Sequence, residues 1–135
     1  MAMQESVSVR NARLDAIETT IGTSPILTIR TGAQPATCAT ANAGTVLATM
    51  TLPSDWMAAA SSGAKALSGT WQDTSADATG TAAHFRIHDS TGTTCHMQGS
   101  ITATSGGGDM ELQNTSIAAG QSITISSFTI TAANA

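Results

Sequence analysis

An all-β fold is what this chain encodes: a two-sheet antiparallel sandwich, jelly-roll-like, preceded by a short N-terminal helix. Three observations lead there. Charged residues make up only 10% of the 135, against about 25% in an average soluble domain, and Thr, Ser, Ala and Gly take their place. Segments that alternate apolar and polar residues recur along the chain, with Gly, Pro, Asp and Asn between them, the mark of half-buried strands. Beyond the first 22 residues no long stretch of helical periodicity intervenes, so the strands must pair with one another through loops. A chain of this size forms one core and buries about two thirds of the surface it exposes when unfolded.

Taken in order, residues 5 to about 21 read as a helix. Val7, Leu14, Ile17 and Ile21 fall on one narrow stripe, and Gly22 stands where a helix stops. Arg10 interrupts the stripe. So narrow a seam suits either a helix laid along its own β-domain or an arm that docks on a neighbouring subunit. The chain accordingly divides into a helical arm, residues 1–22, and a β-sandwich domain, residues 23–135.

Pro25 opens a first strand, Ile26 to Thr31, at a position that tolerates its missing donor. An Ala- and Thr-rich loop, 32–43, leads to a second strand from Thr45 to Leu52, ended by Pro53. Ser54-Asp55-Trp56-Met57 reads as one helical turn capped by Ser54. That turn would fold Trp56 over an open end of the core or leave it as an anchor for a partner. A third strand is expected from Lys65 to Gln72, then a polar turn to Gly80. After the glycine-rich link 105–109 comes a short strand, Met110 to Asn114. In the last segment, 121–131, Ile123 and Ile125 share one face and Phe128 and Ile130 the other, which predicts a bulge or a crossing between sheets near Ser126-Ser127.

The strongest local instruction runs from Ala83 to Ala103. Phe85 and Ile87 alternate with His84, Arg86 and His88, and Cys95, Met97, Gly99 and Ile101 alternate with His96, Gln98 and Ser100. This is a β-hairpin with one apolar face. A three-residue loop, Ser90-Thr91-Gly92, keeps that face continuous by pairing Ile87 with Cys95, Phe85 with Met97 and Arg86 with His96, with Gly92 left-handed.

Composition excludes several classes of function. The five basic residues are scattered in a chain of net charge −4, with no Tyr and only two Phe, so neither a phosphate track nor a stacking platform exists for nucleic acid. No window is apolar enough for a membrane span, and the first 22 residues lack a secretory leader. Synthesis and folding in the cytosol are therefore expected, with Cys38 and Cys95 as free thiols.

The histidines 84, 88 and 96 would all face outward, but Arg86 stands among them and opposes a cation, so no metal is expected. Ser62-Gly63-Ala64-Lys65 matches a Ser-x-x-Lys pattern without the further motifs that chemistry needs. Glycines 106–108 do not precede a helix and make no phosphate cradle. No acid, base and nucleophile cluster points to catalysis, and no cofactor is implied.

Several stretches carry a resemblance: Arg10-Asn11-Ala12-Arg13-Leu14-Asp15-Ala16-Ile17, then Leu52-Pro53-Ser54-Asp55-Trp56-Met57, then Phe85-Arg86-Ile87-His88-Asp89-Ser90-Thr91-Gly92, and Gly108-Asp109-Met110 with Phe128-Thr129-Ile130-Thr131. Together with the low charge, the chain resembles small structural proteins of tailed-bacteriophage virions and, more loosely, the jelly-roll cement or decoration proteins of phage heads. The resemblance implies a non-enzymatic protein on the outer capsid surface, made in the host cytoplasm. It would form a homo-oligomer, dimer or trimer, and bridge neighbouring major capsid protein subunits. Val7, Leu14, Ile17, Ile21 and Trp56 are the expected contact residues. A tail, collar or fibre component that recognises a host surface is the alternative.

Overall fold

Helix α1, Val7–Ile21, begins where Ser6 accepts a hydrogen bond from the Val9 N–H and ends at Gly22, whose N–H returns to Glu18 O. In this computed structural model, which describes residues 3–133, the rest of the chain is strands and loops. The strands are β1 (Ile26–Arg30), β2 (Val46–Thr51), β3 (Ala64–Ala66), β4 (Trp71–Asp73), β5 (Gly80–Thr81), β6 (His84–His88), β7 (Cys95–Ala103), β8 (Met110–Leu112), β9 (Ser116–Ile117), β10 (Ile123–Ile125) and β11 (Thr129–Thr131).

A five-stranded sheet in the order β2-β1-β6-β7-β8 is accompanied by three two-stranded ladders, β10-β4, β11-β3 and β5-β9. The pairings are antiparallel except β7 with β8, which is parallel. The all-β expectation therefore holds as strands in several antiparallel sheets with one short helix, and the purely antiparallel expectation does not.

The core lies between one face of the large sheet and the ladders. Leu27, Ile29, Met50, Phe85 and Ile87 come from the sheet, and Trp71, Ile123, Ile125 and Phe128 from the ladder side. A chain of rings crosses it: Trp56 to Trp71 at 5.9 Å, Trp71 to Phe128 at 5.6 Å and Phe128 edge-on to Phe85 at 5.6 Å. Phe85 lies so close over β7 that a Cβ on Gly99 would come within 2.7 Å of its ring, so this position accepts no side chain.

Four expectations are corrected. The central hairpin exists, with Gly92 left-handed at φ 73°, but its register pairs Ile87 with Met97, Phe85 with Gly99 and Arg86 with Gln98. The cause is Asp89, whose carboxylate accepts from Thr93 N, Thr94 N and the Thr91 hydroxyl. This opens the loop to four residues, 90–93, closed by Asp89 N–H to Thr94 O. His88 then pairs with Cys95, and an irregularity follows before the Ile87–Met97 pair.

Residues 54–57 form no helical turn; Met57 instead bridges to Leu67, and Ser68 N–H reaches Trp56 O. The expected third strand is two strands, β3 and β4, separated by a turn with Gly69 at φ 72°. The polar outer face expected of β6 is absent, because all five of its residues are buried. The crossing near Ser126-Ser127 is present: β10 pairs with β4, and β11 with β3.

Candidate functional site

Helix α1 is seated on its own β-domain chiefly through polar side chains. Asn11, Asp15 and Glu18 are spaced along one face of the helix. Asn11 Oδ1 accepts from Gly63 N at 2.9 Å, Asp15 Oδ1 from Ala60 N at 2.9 Å and Glu18 Oε1 from Met57 N at 3.4 Å. They satisfy backbone donors of a stretch, 57–63, that has little ladder of its own. Beneath them the Lys65 ammonium, 1% exposed, reaches Asp15 at 2.8 Å and Glu18 at 2.9 Å and donates to Ala58 O at 2.9 Å. Burial disfavours the charge on Lys65, but hydrogen bonds to the two carboxylates outweigh it and hold its pKa above the ordinary value. The Lys65 hydrogen bond, then that of the Ala60 N–H, lowers the pKa of Asp15.

The expected contact residues separate in this arrangement. Leu14 and Ile21 are buried and Ile17 packs partly against the core. Trp56 is 0% exposed and its Nε1 donates to Gly22 O at 3.0 Å, so it closes the core. Val7 alone of the five is well exposed, at 49%, and with Met3 and Val9 it makes up the exposed large apolar side chains among the described residues. Arg13, Ile17, Ile21, His96 and Met97 line an open groove of about 410 Å³ between helix and hairpin.

A second constellation sits on the opposite face of β1 and β6. Four basic side chains are buried there: His84, Arg86, His88 and Arg30. The 32–44 loop lies across them with its carbonyls turned inward. Arg86 Nη2 donates to the carbonyls of Thr37, Cys38 and Thr40 at 3.1, 3.0 and 3.0 Å, and Nη1 to Asn42 Oδ1 at 2.6 Å.

His84 Nδ1 meets Gly32 O at 2.9 Å, His88 Nε2 meets Asn42 Oδ1 at 3.3 Å, and Gln98 Nε2 donates to Pro35 O at 2.7 Å. Among the described residues no carboxylate forms an ion pair with Arg86 or Arg30, so neutral dipoles hold the guanidinium. Under the loop a hollow of about 170 Å³ is lined by Cys38, Thr40, Asn42, Arg86, His88 and Cys95. His84 and His88 are buried and His96 is exposed, and among the described residues no group of three or more His, Cys, Asp or Glu is placed to hold a metal ion.

The cationic surroundings set a pH dependence. Burial first, then Arg86 and Arg30, and weakly His96, push the His88 pKa below its ordinary 6.5, against the pull of Asp89; Asn42 is its neutral neighbour from the loop. The unfolded chain therefore binds this proton more readily than the folded one. Its contribution to stability is full above about pH 6.5 and is lost as pH falls below that value.

Asp89 does not share this window. The Thr91 hydroxyl and the Thr93 N–H hold its carboxyl down at about 2, so its hold on the turn survives to much lower pH. The melting temperature should stay level from about pH 8 to 7 and fall between about 6.5 and 5. In His88→Gln most of that slope should vanish, and an unchanged slope would place the titrating group elsewhere.

Sequence reasoning missed the seat of the helix and the loop staple. A signal existed for the first: Asn11, Asp15 and Glu18 repeat at helical spacing, and Lys65 is a lone cation in a strand. None existed for Asn42.

No family model matches the chain, and neither a curated protein nor a solved structure does.

Proposed function

We propose that the protein is a structural component of tailed-bacteriophage virions, a capsid cement or decoration protein that oligomerises and bridges neighbouring major capsid protein subunits on the outer shell. The finer architecture that goes with this reading is a two-sheet, jelly-roll-like sandwich. The aromatic chain from Phe85 through Phe128 to Trp71 and Trp56, which joins the large sheet to the ladders, supports it.

One observation carries the functional reading. Met3, Val7 and Val9, exposed by 82%, 49% and 47%, are the exposed large apolar side chains among the described residues, and Val7 and Val9 stand in the first turn of α1. Val9, Arg13 and Ile17 follow one another at helical spacing, so Val9 stands in line with the two residues of α1 that border the groove beside Met97. Exposed apolar side chains beside an open groove, on a protein with few charges to desolvate, suit a contact with another protein subunit.

The test is to locate the chain on intact particles and count it. Hundreds of copies per particle on the head support the reading; a few copies on the tail would replace it with the tail, collar or fibre alternative. The double variant Val7→Asp, Val9→Asp should keep its fold and melting temperature, since both side chains are surface residues. Each loses about 1 kcal/mol of apolar contact and adds a charge to desolvate, so incorporation should fall more than tenfold. Undiminished incorporation would remove the helix tip from the contact.

A further inference from the structure

Cys38 and Cys95 are 57 positions apart in sequence, 95 less 38, yet the fold makes them neighbours. Cys95 is the first residue of β7 and pairs with His88. Cys38 arrives from the 32–44 loop, whose carbonyl at that residue is held by Arg86 at 3.0 Å. Both line the hollow under the loop, and both are half-buried free thiols. Cys95 Sγ also donates to Met97 O at 3.4 Å. No second pair of thiols competes, since these are the two cysteines of the chain.

We infer that Cys38 and Cys95 form a redox cross-linking site that closes to an intramolecular disulfide when the folded protein meets a small-molecule disulfide oxidant. Cys38 is the attacking group. Burial, then the neighbouring Cys38, pushes the Cys95 thiol up to about 11, so Cys95 keeps its proton until the second step. The Cys38 thiolate displaces one thiolate from the oxidant and forms a mixed disulfide. Cys95 then gives up its proton and attacks the Cys38 sulfur, which expels the second thiolate. Two protein thiols are oxidised to one disulfide, one oxidant molecule is reduced to two thiols, and the two protons released are taken up by those thiols.

The consequence is a loop fastened twice. Arg86 holds its carbonyls to β6, and the bridge ties its Cys38 end to the start of β7. A cross-link closing so long a stretch restricts the unfolded chain most. It would set after the chain leaves a reducing cytosol, where small-molecule thiols keep both groups reduced.

The inference does not rest on the virion reading, because it is tested on the isolated protein. Native full-length protein is incubated with oxidised glutathione, alkylated, and measured by intact mass and non-reducing peptide mapping. The expected product is a monomer lighter by two hydrogen atoms, with the peptides of Cys38 and Cys95 linked. Its melting temperature should be higher by about 5 °C or more and fall back on addition of dithiothreitol. Cys38→Ser and Cys95→Ser should each abolish both the mass change and the shift. Two thiols still open to alkylation, a glutathione adduct that never resolves, or a disulfide-linked dimer would each overturn the inference. The wild-type measurements decide the question even if a serine variant fails to fold.

Discussion

Arg86→Met is expected to destabilise the protein by about 3 kcal/mol and to release the 32–44 loop, because one buried guanidinium supplies donors to four acceptors in that loop. Methionine fills much of the volume, so the loss reports hydrogen bonding more than packing. The four acceptors are left facing an apolar side chain until the loop swings out to water, and that swing caps the cost.

Lysine should restore little. A compact ammonium with three donors cannot reach Asn42 Oδ1 and the carbonyls of Thr37, Cys38 and Thr40 in the flat fork that Arg86 presents, so Arg86→Lys should still lose about 2 kcal/mol. Urea denaturation gives the energies. Amide hydrogen exchange should show residues 33–43 opening in the variants while β1 and β6 stay protected. A loss under about 1 kcal/mol with an unchanged loop would mean that the packing of the loop, and not the guanidinium, holds it down.

That arginine also marks where sequence reading stops. The alternation from Ala83 to Ala103 made one face of the hairpin legible, and Phe85, Ile87 and Met97 do face the core. The same alternation assigns His84, Arg86 and His88 to solvent, since polar residues at period two normally face water. Their cover comes from residues 32–44, some fifty positions upstream, and a long-range contact between a loop and a strand leaves no local periodicity.

The hairpin register failed for a related reason. Side-chain alternation fixes parity, and the predicted and observed pairings both preserve it. The choice between them was made by the Asp89 carboxylate, which captures the N–H groups of Thr93 and Thr94.

The glycine-rich link 105–109 was legible as a connection but not as a structure. Glu111 accepts from Ser105 N and Gly107 N, and Asp109 accepts from Ser100 N and its hydroxyl. With Ser105 and Gly107 both at positive φ, the chain turns sharply enough for β8 to lie parallel to β7. Parallel neighbours ordinarily need a connection of about a dozen residues or more, so nothing in the composition of the link announced this pairing. The helix was legible in extent and stop, and less so in what it buries: two apolar positions, Leu14 and Ile21, are covered, Ile17 packs partly against the core, and polar side chains do the rest of the docking.

Trp56→Ala should have the largest effect of any single substitution, about 4 kcal/mol. Trp56 is fully buried at the end of the ring chain, 5.9 Å from Trp71, and its removal opens a cavity between two elements that meet at that point. Its indole N–H closes the C-terminal end of α1 through Gly22 O, while its own carbonyl accepts from Ser68 N and Trp71 Nε1. The helix, the 54–57 stretch and β4 are thus joined at one residue.

Against a total stability of about 5 to 15 kcal/mol for a domain, a loss of this size removes a large share of the folded population. Trp56→Phe separates the two roles. The ring packing largely survives, the hydrogen bond to Gly22 does not, and the expected cost is about 1 to 2 kcal/mol, with hydrogen exchange rising first at the end of α1. Urea unfolding followed by near-ultraviolet circular dichroism measures both variants, since the Trp56–Trp71 contact should contribute to that signal. If Trp56→Ala instead cost under about 1 kcal/mol and left the Trp71 environment unchanged, the indole would not be closing the core, and the role of a surface anchor for a partner subunit would return to it.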